Sequence, residues 1–299
     1  MKKKNTILIT GATGFLGSSI INTLSKQNYI FLYLIRENSN LFRIKKYNKN
    51  KKIIIDYKKL EAVFVKNKID CILHCATSYG LKDKNISNII QSNLFLPLKL
   101  LDYAKKYKVK SFINTDTILK KNISDYTLSK HQFNEWFKKF SKDIYCCNIK
   151  IEHFFGPSDD RSKFVISLIT DILEENYPIK LTSGVQKRDF IYIDDVVSAI
   201  SRIIKHSKRK KSGIETYEIG TGKSMSIKKF AEIIAQLCMK DSKKIFKFGS
   251  IPFRKNEAMD VKINIKKLKK IGWKPRPDLK KELIKTIDYF KNEIFNKNL

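Results

Sequence analysis

The chain has 299 residues, 42% hydrophobic and 30% charged, with a formal net charge of +32. That length allows one large or two interlocked domains, and the hydrophobic and aromatic content excludes a disordered chain. No stretch approaches the ~20 apolar residues of a membrane span, and the apolar run after MKKKN stops within a few residues at a glycine-rich turn, unlike a secretory leader. A cytoplasmic protein with no membrane partner is expected.

Cysteines stand at 71, 75, 146, 147 and 238. No CxxC pair or histidine cluster completes a metal site, so reduced thiols and no bound metal are expected. The lysines are spread between apolar positions, as in "IKKLKKIGWKP". This is how solvated helix faces look, so the charge is read as composition and no nucleic-acid partner is expected. A lesser reading lets it draw in an anionic substrate.

In chain order, "NTILIT" is a strand leading through a glycine turn into a helix that ends near Lys26. "YIFLYLI", "KKIII", "DCILHCA", "KSFINT" and "IYCCNIKI" are further strands. "NIIQSNLFLPLKLLDYAKKY" and "DYTLSKHQFNEWFKKFS" are helices, the first expected to bend at Pro97. Beyond residue 153 follow a helix near 162–175, the strand "RDFIYI", the helix "DDVVSAISRIIKH", the segment "TYEIGTG", a helix from about Ser226, the strand "KIFKF" and a terminal helix. Short β-branched runs alternating with amphipathic segments predict an α/β fold. Its Rossmann-type parallel sheet carries helices on both faces and is joined to a smaller, interleaved substrate domain. The expected division is 1–152 with 186–215 returning to it, against 153–185 and 216–299.

Gly11, Gly14 and Gly17 in "TGATGFLG" follow a strand and open a helix, the context in which backbone N–H groups meet a pyrophosphate. Thr13, Phe15 and Leu16 share that turn and are candidate cofactor contacts. Arg36 closes the second strand, where an acid would hold the ribose hydroxyls of NAD and a guanidinium would pair with a 2′-phosphate. NADP(H) is favoured over NAD, with Glu37 arguing the other way. Asp56 is placed to touch the adenine edge, or is a plain turn residue.

Tyr126 and Lys130 in "YTLSK" are four apart on a helix and share a face. An ammonium beside a tyrosine, together with a cationic nicotinamide, favours the phenolate. Thr115, at a polar strand end, could hold a substrate hydroxyl or carbonyl with Tyr126.

In this order these residues resemble the extended short-chain dehydrogenase/reductase family of sugar-nucleotide epimerases, dehydratases and reductases. "HCAT", Asn93, "HFFGP", "RDFIYIDDV", "EIGTG" and "LKKIGWKP" extend the likeness over nearly the whole chain. The resemblance implies Thr115, Tyr126 and Lys130 as the catalytic triad, with Lys130 also on the cofactor ribose and Ala76 lining the cofactor cleft. It implies Thr77, Tyr79, Asp116 and His153 as substrate contacts and Arg188 and Arg254 near a diphosphate.

Through "ATSYGLK", "LPLKLLD", "INTD", "IEHFFGP" and "FRKNEAM" the likeness is to the 4-ketoreductases, which reduce a nucleotide-activated 4-keto-deoxy sugar, a CDP-linked one included. A 4-epimerase with retained NAD is the alternative, and a non-catalytic binding module the reading from another class. A homodimer is a candidate assembly. Two departures stand out: Thr115-Asp116-Thr117 replaces the dehydratases' Thr-Asp-Glu, which removes the base for elimination, and His153 stands where the family carries a sugar-contacting Asn.

Overall fold

The structure, a computed structural model, describes residues 4–47, 51–54, 59–80 and 85–297. Two compact units emerge. The first comprises Met1–Ile151, Val197–Tyr217 and Lys270–Trp273, the second Glu152–Val196, Glu218–Lys269 and Lys274–Leu299. Asp56 lies outside the described residues.

The first unit is built on a sheet of β1 (Asn5–Thr10), β2 (Tyr29–Ile35), β3 (Lys51–Ile54), β4 (Cys71–His74), β5 (Ser111–Asp116), β6 (Tyr145–Ile151) and an edge strand Gly213–Ile219. The spatial order runs from the edge strand through β6, β5, β4, β1 and β2 to β3. β1 to β6 pair in parallel. Strands buried on both faces explain the near-continuous apolar runs. The order reverses between β1 and β4, so the loops after these two strands flank the crevice in which such sheets take ligands.

Around the sheet lie α1 (Phe15–Leu24), α2 (Leu60–Lys66), α3 (Ile86–Ile90), α4 (Leu96–Lys106) and α5 (Asp125–Phe140). Phe112 of β5 packs edge-on against Phe137, and Phe133 stacks on Phe137, all three fully buried. This cluster fixes α5 against the sheet. The bend expected at Pro97 is taken up instead as a wide π-helical turn, Gln91–Phe95, in which the Leu96 N–H reaches the Gln91 carbonyl. Proline has no N–H and crowds the carbonyl four residues back, and one widened turn relieves both.

In the second unit the expected strand "RDFIYI" divides. Lys187–Arg188 pair antiparallel with Met225–Ser226, and Phe190–Tyr192 pair in parallel with His153–Phe155. Between them Asp189 turns inward and accepts from the Thr221 N–H at 2.8 Å, the Thr221 hydroxyl at 2.7 Å and the Gly222 N–H at 2.7 Å. These pairings carry 186–196 into the second unit, whereas the sequence placed them with the first. Lys270–Trp273 differ in the opposite sense: Trp273 donates to the Ser198 hydroxyl at 2.7 Å, inside the first unit. "KIFKF" is shorter than expected. Asp241 caps a helical turn, Ser242–Ile245, and only Phe246–Lys247 form a strand.

Among the described residues no helix is long and apolar enough to cross a membrane.

Candidate active site

The glycine turn after β1 is shaped by contacts that exclude side chains. Gly11 has φ +65°, and a Cβ there would lie 2.6 Å from the Ala76 amide nitrogen; one at Gly17 would lie 2.2 Å from the Gly11 carbonyl oxygen. Gly11 and Gly17 therefore allow the loops after β1 and β4 and the start of α1 to close on one another. Gly14 is exposed and begins α1 without a side-chain cap, and no acid occupies the helix's first turn. A ten-residue helix with that N-terminus suits an anion. The cradle fits a dinucleotide pyrophosphate, with Thr13, Phe15 and Leu16 in the same turn.

Thr10, at the end of β1, ties the two loops. Its hydroxyl accepts from the Ala76 N–H at 3.1 Å and bonds the His74 Nδ1 at 2.8 Å. Burial, and then the charge of Lys130, push His74 well below the usual histidine range, so its imidazole is neutral. Arg36 follows β2 directly and is exposed. A second guanidinium escaped the sequence reading: Arg43 donates to the Thr13 carbonyl at 3.4 Å and so reaches the glycine turn. It lies in a short 3₁₀ segment, Phe42–Tyr47, where no periodicity marks it.

At the end of β5 the structure joins two of the three expected catalytic residues, Lys130 and Thr115. A capping box between Ser124 and Thr127 starts α5 and sets its register. Lys130 is 1% exposed and its Nζ donates to the Thr115 carbonyl at 2.7 Å. Burial lowers its pKa to about 8, opposed by Asp116 and Cys75. The Thr115 hydroxyl donates to the His74 carbonyl at 3.0 Å.

The Tyr126 phenol lies partly buried at the start of α5. Burial raises it above the ordinary tyrosine range, the nearby Tyr79 and Asp116 raise it further, and a hydrogen bond with Thr117 works against them. The Lys130 ammonium is hydrogen-bonded to the Thr115 carbonyl on the same side of the sheet end.

Ala76, Thr77 and Tyr79 lie on the loop after β4. Asn93 fixes this loop: its side chain accepts from the Ser78 N–H at 2.8 Å and donates to the Ser78 carbonyl at 2.8 Å and the Ser129 hydroxyl at 3.0 Å. The π-helical turn thus joins the loop to α5. The Tyr79 ring sits 4.9 Å from that of Tyr126 at 46° and is half-exposed.

His153, Arg188 and Arg254 belong to the second unit. His153 is half-buried, its Nδ1 2.5 Å from the Glu152 carboxylate. Arg254 is exposed. Arg188 is buried and already engaged: it pairs with Glu257 and donates to the carbonyls of Ala258 at 2.6 Å and Lys187 at 2.8 Å. A phosphate contact from Arg188 would have to replace Glu257.

The NAD dependent epimerase/dehydratase family profile matches residues 7–220. Among individual proteins, the chain is similar to the CDP-abequose synthase of Salmonella typhimurium, 34% identical over 95% of this chain and 99% of that one. It is also similar to a putative UDP-glucose 4-epimerase of Methanocaldococcus jannaschii, 26% identical over 96% of this chain and 98% of the relative. In fold it resembles the UDP-glucuronic acid 4-epimerase from Bacillus cereus solved with UDP-glucuronic acid and NAD, at TM-score 0.84, 21% identity, and coverage of 96% of this chain and 99% of that one.

Proposed function

We propose that this chain, which belongs to the NAD dependent epimerase/dehydratase family, is an NADPH-dependent reductase of the C4 carbonyl in a nucleotide-activated 4-keto-deoxy sugar. The observation that carries the reading is the site at the end of β5. Lys130 reaches Thr115 from α5, Tyr126 stands four residues earlier on the same helix, and Thr117 occupies the place where a dehydratase needs a second acid. The similarity to CDP-abequose synthase over nearly the full length of both chains supports it and favours a CDP-linked substrate.

When bound, NADPH would supply the hydride that C4 receives. Tyr126 gives its phenolic proton to the C4 oxygen, and Lys130 stabilises the resulting phenolate, which regains a proton from solvent. Thr115 orients the carbonyl by turning its hydroxyl from His74 to the substrate. The glycine turn with Thr13, Phe15, Leu16 and Ala76 would hold the cofactor, and Arg36 with Arg43 its 2′-phosphate. Thr77, Tyr79 and His153 are proposed to contact the sugar, and Arg254 its diphosphate, with Arg188 beside it once Glu257 gives way. A homodimer of the 35.0 kDa chain is proposed as the assembly, to be checked by sedimentation velocity.

The test supplies CDP-, UDP- and dTDP-linked 4-keto-deoxy sugars with NADPH and follows its absorbance. Wild type should consume NADPH, and Tyr126→Phe should lower kcat by ~10² or more with NADPH affinity retained. Interconversion of two 4-hydroxy epimers on retained NAD, with no NADPH consumed, would make the protein a 4-epimerase instead.

A further inference from the structure

Lysines that look evenly scattered along the chain meet in space at one edge of the first unit's sheet. The segments that lead into its strands each present an exposed lysine: Lys4 before β1, Lys26 before β2, Lys68 before β4, Lys108 before β5, Lys142 before β6 and Lys208 before the edge strand. β1 to β6 are parallel, so these segments share the end of the sheet opposite the glycine turn. The edge strand starts there too, since the Gly213 N–H donates to the Ser141 carbonyl at 2.7 Å. These strands are neighbours in the sheet, so the row of cations is on the order of 24 Å long at the usual strand spacing. By contrast, the described segments that leave β1 and β4, on the catalytic side, carry no cation.

The acids on this edge are already paired: Asp70 with Lys110 at 3.5 Å, Asp143 with Lys105 at 2.8 Å and Glu215 with Lys210 at 2.9 Å. Among the described residues, none of the lysines in the row has an ion pair. Lys208 holds its Nζ 4.6 Å from the centre of the buried Tyr29 ring, beside a cavity that Asn5, Asp70 and Lys110 also line. That cavity joins the starts of β1, β2, β4 and β5 to the end of the helix Ile193–Ser207, so the charges belong to one surface. Aliphatic side chains stand exposed among them. Ile30 and Ile214 are each the second residue of a strand, and Val65 lies in the last turn of α2.

Unpaired cations in a row, interleaved with exposed aliphatic groups, complement a surface of fixed negative charge over an apolar layer. The segments carry no exposed aromatic ring on which a nucleobase could stack, and the row consists of lysine point charges rather than arginine forks. We infer that this edge docks the protein on an anionic lipid bilayer, with the loops that leave β1, β4 and β5 turned to the aqueous side. The expectation of no membrane partner rested on the absence of a spanning segment, which peripheral docking does not need. The inference is independent of the reaction proposed above.

The experiment is co-sedimentation of the full chain with vesicles of phosphatidylcholine, alone or mixed with phosphatidylglycerol, at low and at high salt. Wild type should bind the anionic vesicles at low salt, leave them at high salt, and ignore pure phosphatidylcholine. The combined change Lys68→Gln, Lys108→Gln and Lys208→Gln should weaken binding by on the order of a hundredfold with the melting temperature retained. Val65→Ser should weaken it severalfold with no change of charge. Lys45→Gln, Lys46→Gln and Lys120→Gln together remove as many charges from the other edge and should leave binding as in wild type.

No binding to anionic vesicles, equal binding to pure phosphatidylcholine, or an equal loss in the two triple variants would each overturn the inference. Release of the protein from the vesicles by single-stranded RNA at equal phosphate concentration would also overturn it and make the edge a nucleic-acid surface.

Discussion

The Lys130 ammonium donates to the Thr115 carbonyl at 2.7 Å, joining two members of the proposed triad through a backbone atom. The bond lets an almost fully buried ammonium remain charged, and that charge sits close to neutrality because burial lowers its pKa to about 8. Reductase kcat/KM should therefore fall as pH rises through about 8, as Lys130 loses the charge that stabilises the phenolate. Lys130→Arg, always charged, should not show that fall at whatever rate it retains. Asp116 raises Lys130, so Asp116→Asn should move the inflection to lower pH. A flat profile across this range in wild type would separate Lys130 from catalysis.

Cofactor choice is expected to depend on two guanidiniums. Arg36 follows β2 and Arg43 touches the glycine turn at the Thr13 carbonyl. A 2′-phosphate would gain charge-assisted bonds from both, and a ribose diol little from either. Wild type should prefer NADPH to NADH. Arg36→Ala and Arg43→Ala should each reduce the preference by about tenfold, measured as the ratio of kcat/KM values. A wild-type preference for NADH would contradict the assignment.

The two arginines of the second unit should behave differently. Arg254 is exposed, and Arg254→Ala should raise substrate KM by about tenfold with the melting temperature unchanged. Arg188→Ala strands the Glu257 carboxylate and two carbonyls, so it should destabilise the fold by about 3–5 kcal/mol as well as weakening substrate binding. Urea unfolding of both variants tests the distinction.

Glu215 provides a test of the fold away from the catalytic helix. It accepts from Tyr145 at 2.7 Å, from Tyr217 and from Lys210 at 2.9 Å. Burial alone would raise its pKa, but the hydrogen bonds from Tyr217, Lys210 and Tyr145 hold it down to about 2. A carboxylate depressed in the folded state stabilises above its unfolded value of ~4.3, and that contribution is lost as pH falls toward about 2. Glu215→Gln should therefore lower Tm clearly at neutral pH, with the difference from wild type shrinking below about pH 4. A difference independent of pH would mean that packing, not charge, makes the cluster stable.

The glycine turn was legible because a strand, a backbone too close for side chains and a helix start must occur together. Tyr126 and Lys130 were legible because helical spacing forces them onto one face. Asn134 extends that face, yet in sequence it looks like another polar residue on a solvated helix. It accepts from Asn148, which becomes its neighbour only when β6 pairs with β5. Arg43 was hidden by an aperiodic segment. Arg188 looked free because Glu257, which engages it, lies 69 residues away. The strand division at Asp189 escaped notice for the same reason: its three donors come from a distant loop.

The most direct measurement of the central claim follows the hydride. Wild type is given a CDP-linked 4-keto-deoxy sugar and NADPH deuterated at nicotinamide C4, in separate reactions for the two faces, and the product is examined by NMR and mass spectrometry. The account predicts one deuterium at sugar C4 from one of the two labels, a single C4 configuration, and one NADPH consumed per product. Formation of both C4 epimers from a 4-hydroxy substrate, with no deuterium entering from added NADPH, would contradict it.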